Sequence, residues 1–264
     1  MKIIVCIKQD PDNVVNLVGK DVFKGIDSNQ VQFVSNPYEE VAVEEAVRIK
    51  EQKEGTEITF IAIGPDSAKK AIQSALAMGA DRAFHINDDL FDNSDNYATA
   101  SILAKVIGDM EYDLILCGKH AADDDSFYVG QSLAEMLNIP NASVITDLKF
   151  SENYQRVIVK RQVECGNEIL EVPLPALFTC QKSLNVPRLP SMKGIMGVKK
   201  KEALKLNMAG VGLKKEQVGE EGSLVKTLSF SLPPLRGKGK IFKGPVDESA
   251  NELVRLLHEE TKVI

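Results

Sequence analysis

The segment that decides the fold class is Leu114-Ile-Leu-Cys-Gly-Lys-His-Ala-Ala-Asp-Asp-Asp-Ser-Phe-Tyr-Val-Gly-Gln131. Its apolar start ends at Gly118, a polar loop follows, and a helical pattern begins near Gly130. In open α/β sheets, ligands lie beyond the carboxyl ends of the strands, where the strand order reverses. Backbone amides at the start of the helix can hold a phosphate there. A solvated acidic loop that caps a helix fits the segment equally well, because three consecutive aspartates repel a phosphate unless a cation or a dipole compensates.

Similar strand, loop and helix units precede this segment. The β-branched run at residues 3–7 predicts a strand buried on both faces of a sheet, and residues 57–63 and 83–86 predict two more strands. Asn36 and Pro37 suit the cap and the first position of a helix. Strands that alternate with helices in this way indicate a parallel sheet with helices on both faces.

The pattern changes after Pro140. Residues 144–150, 155–163 and 168–172 predict antiparallel strands, and prolines crowd the sequence that follows. Such a proline-rich tail cannot build a core of its own, so it should lie over the first domain or reach another chain. An amphipathic helix is predicted at residues 246–260. We therefore predict an α/β fold: a parallel doubly wound sheet of the adenine-nucleotide-binding type, a small antiparallel section, and an extended C-terminal arm that ends in a helix.

The composition narrows the class of function. The 264 residues carry 32 Lys and Arg against 38 Asp and Glu, a formal net charge of −6, and 44% of them are hydrophobic. These values exclude collagen-like, disordered and disulfide-scaffold proteins. The acidity, the 6% aromatic content and the absence of Trp weigh against a nucleic-acid partner.

The sequence also lacks the marks of an exported or membrane protein. No apolar stretch approaches the roughly 18 residues that span a bilayer, and no signal peptide is evident. The four cysteines are scattered and contain no Cys-x-x-Cys pair, which argues against disulfides. We therefore predict a cytoplasmic protein with no membrane span.

Four loops converge on one edge of the predicted sheet. Three follow strands near Cys6, Ile63 and Gly118, and the fourth begins the helix at residues 36–39. The resulting crevice suits a nucleotide that is held by backbone groups and by the helix start. No Walker motif and no Gly-x-Gly-x-x-Gly is present, so phosphate chemistry on ATP is not indicated.

The histidines do not indicate catalysis or a metal. His85, His120 and His258 lack a second ligand three or four residues away, as a helical metal site needs. Only His120 lies in a candidate site, and a loop histidine is more often a solvated or packing residue than a catalyst. The sequence does not indicate a Ser-His-Asp group. We predict no catalytic side chain and no metal.

The segment Pro187-Arg-Leu-Pro-Ser-Met-Lys-Gly-Ile-Met196 reads as an exposed loop. Its thioether and aliphatic side chains are typical of adaptable contacts with other proteins. The lysines at residues 193–201 would steer the loop toward an acidic partner. The alternative is that these residues pack back onto the domain.

Several segments together identify a family. They are Asn36-Pro-Tyr-Glu-Glu-Val-Ala-Val-Glu-Glu-Ala46, Ala75-Leu-Ala-Met-Gly-Ala-Asp-Arg82, Gly118-Lys-His-Ala-Ala-Asp-Asp-Asp125, Leu184-Asn-Val-Pro-Arg188, the Lys-rich run after Met196, and residues 159–179, which are close to a β-subunit signature. Over essentially its whole length the chain resembles the β subunit of electron-transfer flavoproteins.

The resemblance implies a heterodimer with an α subunit that holds an electron-carrying FAD between the two chains. The β subunit binds a second nucleotide in the crevice. In respiratory members this nucleotide is AMP, with a structural role, and the complex docks acyl-CoA-type dehydrogenases. In electron-bifurcating members of anaerobes it is a second FAD, which takes a hydride from NADH. One electron then passes through the α-bound FAD to a flavin dehydrogenase, and the other passes to an acceptor such as ferredoxin.

The resemblance also places residues in the two sites and divides the chain. Residues 1–185 are expected to form the nucleotide-binding domain, and residues 186–264 the recognition loop and an arm that wraps the partner subunit. Docking on dehydrogenases is expected at Pro187, Arg188, Leu189, Met192, Ile195 and Met196, where Met192 replaces an anchoring Leu. Cofactor contacts are expected at Cys6, Asn36, Pro37, Tyr38, Glu39, Ile63, Gly118, Lys119, His120, Ala121, Ala122, Asp123, Asp124, Asp125, Ser126, Phe127, Tyr128, Val129, Gly130 and Gln131.

Departures from the family pattern bear on which nucleotide is bound. AMP-type members have polar residues through the loop and a Thr before the Gly, whereas here Val129 precedes Gly130, as in FAD-type members. The tail at residues 237–250 also resembles theirs. Against FAD, those members usually have Gly where this chain has Asp124, whose carboxylate could crowd or repel a pyrophosphate. We predict FAD and electron bifurcation, with AMP and the respiratory type as the alternative. The third alternative, a stand-alone adenine-nucleotide-binding protein, is disfavoured because residues 168–264 would have no function in it.

Overall fold

The computed structural model describes residues 1–12, 33–229, 239–260 and 262–263. The chain divides into two units, Met1–Ser229 and Phe230–Ile264. Two residues of the tail pattern, Gly237 and Lys238, lie outside the described residues.

The described part of the first unit contains eleven strands. They are β1 (Lys2–Ile7), β2 (Gln9–Pro11), β3 (Phe33–Ser35), β4 (Glu57–Ile63), β5 (Arg82–Ile86), β6 (Leu114–Gly118), β7 (Asn141–Phe150), β8 (Arg156–Val163), β9 (Gly166–Pro173), β10 (Ala176–Cys180) and β11 (Glu202–Leu206). Nine form one sheet in the order β11-β5-β4-β1-β6-β10-β7-β8-β9, while β2 and β3 pair by themselves. Neighbours from β11 to β7 run parallel, and β7, β8 and β9 run antiparallel.

The described helices of the first unit are α1 (Pro37–Gln52), α2 (Lys69–Met78), α3 (Asn96–Gly108), α4 (Val129–Met136), α5 (Met192–Gly197), α6 (Met208–Val211) and α7 (Gly219–Gly222). Short 3-10 turns lie at Asp66–Ala68, Asp89–Phe91, Val198–Lys200 and Lys215–Gln217. The second unit contains α8 (Val246–Glu259), close to the predicted C-terminal helix. No helix of the described residues is both long enough and apolar enough to cross a membrane.

Two apolar cores lie on opposite faces of the sheet. Ile3 and Val5 of β1 belong to the core that includes residues of α1 and α2. Ile4, between them, belongs to the core that includes residues of α3 and α4. This alternation along a central strand means that β1 is buried on both faces, as a parallel sheet requires. The predicted doubly wound α/β fold, with its antiparallel section and terminal helix, is confirmed.

Two strands of the sheet were not anticipated. Residues 176–180 form β10, which lies between β6 and β7, and all five are buried. Pro173 and Pro175 had suggested a break there, but Pro175 precedes the strand and so removes no ladder donor from it. The short strand β11 extends the sheet beside β5, although its sequence follows a run of lysines.

Candidate functional site

Along the chain, strands are added first on one side of β1 and then on its other side. From β1 it first adds β4 and then β5 on one side, and later places β6 on the other side. All of these strands are parallel, so their carboxyl ends share one edge of the sheet. Cys6, Ile63 and Gly118 lie at or next to the ends of β1, β4 and β6. We call the space at the ends of these strands the crevice, and it occupies the switch point where α/β sheets bind ligands.

Asn36 joins three parts of the crevice. Its backbone N–H donates to the carbonyl of Lys8, just after β1, at 3.1 Å. Its side-chain oxygen accepts from the Tyr38 N–H at 3.2 Å and caps α1, where Pro37 takes the first position. Its side-chain Nδ2 donates to the carbonyl of His120, in the loop after β6, at 2.8 Å. Because Asn36 is fully buried, these bonds fix the start of α1 against both strands.

Gly118 lets β6 end directly against α1. A Cβ atom at this position would lie 2.8 Å from Cγ of Glu39 and 3.1 Å from both the Glu39 nitrogen and Cβ of Tyr38. These separations are shorter than ordinary van der Waals contact, so a side chain at this position would displace the start of the helix.

The three aspartates of the loop each have a partner within the chain. Both carboxylate oxygens of Asp123 lie 2.7 Å from Nζ of Lys8. Asp124 accepts from the backbone N–H of Ser126 at 2.8 Å and from the side chain of Asn96, at the start of α3, at 3.2 Å. Asp125 lies 3.1 Å from Nε2 of His120. The repulsion expected from three adjacent carboxylates is therefore offset by one lysine and several hydrogen-bond donors.

Lys8, the buried Asp10 and the partly buried Glu39 form the floor of the crevice beyond β1. The Lys8 backbone N–H donates to the carboxylate of Glu39, and the Lys8 ammonium lies 3.3 Å from Asp10. Asp10 also accepts from the backbone N–H of Ala122 at 2.9 Å. Burial raises the pKa of Glu39 well above its ordinary value and raises that of Asp10. Burial opposes the charge of Lys8, but Asp10 and Asp123 outweigh it and raise the Lys8 pKa.

His120 lies between two aromatic rings. Its ring centroid is 4.2 Å from that of Tyr38 and 4.6 Å from that of Phe127. Nζ of Lys119 lies 5.0 Å from the Phe127 centroid, and Nζ of Lys182 lies 4.7 Å from the Tyr38 centroid. Burial and the nearby Lys119 lower the pKa of His120, which favours the neutral imidazole. Rings and cations thus line the same side of the loop.

Two buried acceptor atoms at the loop and at the start of α4 lack a hydrogen-bond partner among the described residues. They are Nδ1 of His120 and the side-chain oxygen of Gln131. Nε2 of His120 faces a carboxylate and therefore carries the proton, which leaves Nδ1 as an acceptor. No side chain caps the first turn of α4, so its backbone amides are available to an anion.

The remaining predicted residues lie within the loop or at the start of α4. The carbonyl of Ala121 accepts from the Asp125 N–H at 3.0 Å, and Asp125 has a left-handed φ of 50°. Tyr128 and Phe127 are 45% and 44% exposed, so both rings reach solvent beside the loop. Val129 and Gly130 begin α4.

The cysteines at the strand ends are packing residues. Cys6 of β1 and Cys117 of β6 are buried on neighbouring strands. A hydrogen bond with Cys6, together with burial, raises the pKa of Cys117 well above its ordinary value, so its thiol is not a nucleophile. No group of side chains in the described parts of the chain could hold a metal ion.

Sequence reasoning missed four residues that shape the crevice. Lys8 and Asp10 follow β1 directly, and an analysis of strand ends could have included them. Asn96 comes from the start of a helix whose nearness to the loop has no sequence signal. Lys182 follows β10, the strand that the prolines obscured.

The predicted docking residues lie elsewhere on the first unit. Leu189, Met192 and Met196 are 90%, 75% and 74% exposed, and Ile195 is also exposed. Part of this segment is the short helix α5 and not a loop. The Arg188 side chain differs from its neighbours, because it pairs with Glu44 and Glu51 of α1.

An open cavity of about 830 Å³ lies between β7, β8, β9 and the turn after β10, and it shares Lys182 with the crevice. Its lining is largely polar and includes Thr146, Lys160, Gln162, Gln181 and Lys182. It contains none of the residues predicted for the cofactor.

Comparison with known proteins gives a consistent result. The model of the electron transfer flavoprotein domain matches residues 25–210. The chain is 40% identical over 260 residues to the electron transfer flavoprotein subunit beta of Thermoanaerobacterium thermosaccharolyticum, covering 98% of both chains. It is 40% identical over 240 residues to the corresponding subunit of Bacillus subtilis, covering 90% of this chain and 91% of that one. It is 36% identical over 266 residues to the caffeyl-CoA reductase-Etf complex subunit CarD of Acetobacterium woodii, covering 98% and 99%.

Proposed function

The chain belongs to the electron transfer flavoprotein family as a β subunit, and from this premise we propose that its crevice holds FAD in a heterodimer that takes electrons from NADH. The observation that carries the proposal is the construction of the loop after β6. All three of its aspartates have partners within the chain, while buried acceptor atoms and the first turn of α4 remain available to a ligand. The crevice is therefore suited to a dinucleotide despite its acidic sequence.

The residues present fit such a group. The α4 amides at Val129 and Gly130 would hold phosphate, because a helix start favours negative charge. Nδ1 of His120 would accept a hydrogen bond from a hydroxyl or amine of the nucleotide, which removes the cost of a buried atom without a partner. The exposed rings of Phe127 and Tyr128 offer faces for an aromatic ring system.

A flavin bound here supplies hydride acceptance from NADH and release of single electrons. The chain itself positions the cofactor and excludes water around it. Asn36 and Gly118 keep the strand ends and α1 in close contact, which closes the inner side of the crevice. Burial raises the pKa values of Glu39 and Asp10, and the Lys8 ammonium, 3.3 Å from Asp10, offsets negative charge at this side of the crevice.

Two observations favour FAD over AMP. The Asp124 carboxylate, which could have repelled a pyrophosphate, instead accepts bonds from Ser126 and Asn96. Apolar Val129 precedes Gly130, so this position offers no hydroxyl to a terminal phosphate. Among the relatives, the name of the Acetobacterium woodii protein assigns it to a reductase complex, which is compatible with the bifurcating type.

The proposed partners of the chain follow from its membership of the family and from its exposed residues. An electron transfer flavoprotein α subunit completes the heterodimer, and the arm of the second unit, with its amphipathic helix α8, wraps that subunit. A flavin dehydrogenase docks on the exposed residues Leu189, Met192, Ile195 and Met196. In the bifurcating type, ferredoxin accepts the other electron, and the complex is cytoplasmic.

NADH oxidation by the purified heterodimer tests the proposal. We expect the heterodimer, supplied with a dehydrogenase, its substrate and ferredoxin, to oxidise NADH and reduce ferredoxin. The respiratory alternative, in which AMP fills the crevice, predicts no NADH oxidation by the same preparation. A heterodimer that accepts electrons from an acyl-CoA dehydrogenase but ignores NADH would therefore replace our proposal with that alternative.

A further inference from the structure

The docking segment, which we define as residues 186–197, presents an exposed apolar surface. Its backbone must be held in place for this surface to keep one shape. Val186, Leu189 and Met192 are at least 75% exposed. Exposed methionine and leucine side chains lose considerable conformational entropy when a partner binds them. A backbone that is fixed before binding lowers the remaining cost, and contacts with α1 and α2 fix this segment.

Arg188 is the strongest of these contacts. Its Nε and Nη2 donate to the two carboxylate oxygens of Glu44 at 2.8 and 2.9 Å, and its backbone N–H donates to the same carboxylate at 3.1 Å. Its Nη1 and Nη2 also donate to Glu51 at 2.5 and 3.0 Å. One guanidinium thus binds two carboxylates, each through two bonds, which is the strongest geometry for such pairs. The side chain of Glu44 is only 5% exposed, so loss of Arg188 would leave a buried charge without its main partner.

The neighbouring Asn185 adds a second buried contact with α1. Its side chain donates to the carbonyl of Val41 at 3.0 Å and to Glu45 at 2.8 Å. Asn185 itself is buried, as is Glu45. The entrance to the docking segment is therefore attached to α1 at positions from Val41 to Glu51, over about three turns of the helix.

The other end of the segment rests on α2. A Cβ atom on Gly194 would lie 2.1 Å from the carbonyl oxygen of Ala77, so α5 packs against the backbone of α2. Nζ of Lys201 donates to the carbonyl of Leu76 at 2.6 Å. The apolar side chains point away from these supports, as their exposure requires.

We propose that Arg188 is a positioning residue, which holds the docking segment in its binding conformation through Glu44 and Glu51 and does not itself contact the dehydrogenase. This inference rests on the proposed function, because it assumes that the segment docks a dehydrogenase. It differs from the sequence-based expectation, which counted Arg188 among the residues that touch the partner. Four of the five N–H donors of the guanidinium bond to Glu44 and Glu51, so the side chain has little capacity left for another protein.

The test compares three variants in the intact heterodimer. Arg188→Lys keeps the charge but cannot bind two carboxylates in this geometry. Glu51→Gln weakens one of the two carboxylate contacts of Arg188. The substituted residue lies on α1, outside the docking segment. Arg156→Ala, the control, removes an exposed pair between Arg156 of β8 and Glu171 of β9, where Nη1 and the carboxylate are 3.5 Å apart. The measurements are amide hydrogen exchange of residues 186–197, flavin content, and steady-state electron transfer to an acyl-CoA dehydrogenase.

We expect faster exchange of the docking segment and a KM for the dehydrogenase about tenfold higher in Arg188→Lys, with a smaller change of the same kind in Glu51→Gln. The kcat and the flavin content should stay as in the unmodified protein, and Arg156→Ala should change nothing. The inference is overturned if segment exchange is unchanged in both variants. It is equally overturned if Arg188→Lys raises KM while Glu51→Gln does not, because Arg188 would then contact the dehydrogenase directly. Absence of transfer in the unmodified heterodimer would count against the proposed function, whereas the exchange data would still decide the role of Arg188.

Discussion

At the scale of single residues, the crevice depends on one close approach and one partly buried acid. Gly118 brings β6 against α1, and Glu39 accepts a hydrogen bond from the backbone after β1. Different physical requirements explain why a glycine stands at position 118 and a glutamate at position 39. Gly118 leaves room for its neighbours, while Glu39 satisfies a backbone donor at the end of a strand.

Substitution of Gly118 tests the close approach. In Gly118→Ala the new Cβ would lie 2.8 Å from Cγ of Glu39, so the start of α1 must move. We expect about 1–3 kcal/mol of lost stability and at least tenfold weaker retention of the crevice nucleotide, measured by thermal unfolding and by nucleotide content after gel filtration. The control is Gly239→Ala, where a Cβ meets nothing within 4 Å. Full nucleotide content in Gly118→Ala would contradict the assignment of this contact.

The partly buried Glu39 predicts a pH dependence of stability. Burial raises the pKa of Glu39 in the folded protein, so the folded state favours the protonated form. This contribution to stability is complete below the unfolded pKa and is lost as the pH rises through the folded pKa. Gln resembles the protonated acid at every pH. The free energy of unfolding of Glu39→Gln, relative to the unmodified protein, should therefore increase from about pH 5 to pH 8.

Urea unfolding of the nucleotide-free heterodimer at a series of pH values measures this difference. Glu152→Gln, at an exposed turn residue, provides the matched control and should follow the unmodified protein. Parallel profiles for Glu39→Gln and the unmodified protein would show that Glu39 does not titrate as its burial requires.

At the scale of elements, the sequence predicted those parts whose signals are local. Residues 3–7 are a continuous apolar run and residues 57–63 are mostly apolar, and the structure has β1 and β4 there. Asn36 and Pro37 marked the start of α1 to the residue, because a cap and a first-position proline are local features. The strand β10 was missed because prolines before it outweighed its five apolar or small residues. Contacts such as Asn36 to His120, 84 residues apart, could not be predicted because they depend on how the elements pack.

The central position of β10 makes a prediction about stability. Phe178 of β10 is fully buried between β6 and β7. Phe178→Ala should lower the free energy of unfolding by about 3–5 kcal/mol, through lost burial and the cavity left behind. Denaturant unfolding measures the change. Ile169→Ala on β9, whose side chain is 73% exposed, should cost less than about 0.5 kcal/mol. Similar losses in the two variants would be inconsistent with a central β10.

At the scale of the whole molecule, the net charge of −6 conceals local pairing. Asp123 to Asp125, which looked like a repulsive cluster, are neutralised or bonded by Lys8, Ser126, Asn96 and His120. Lys199 and Lys200 remain exposed beyond the docking segment, where they can steer an acidic partner. The sequence could show the two clusters, but only the fold shows that the acidic one is satisfied internally.

The central claim is that the crevice of this β subunit holds FAD, and a nucleotide count of the purified heterodimer tests it most directly. Denaturation releases the bound nucleotides, which chromatography and absorbance identify and quantify against protein. We predict two FAD for each heterodimer, one in the crevice and one held mainly by the α subunit. One FAD together with one AMP would contradict the claim and assign the crevice to a structural nucleotide.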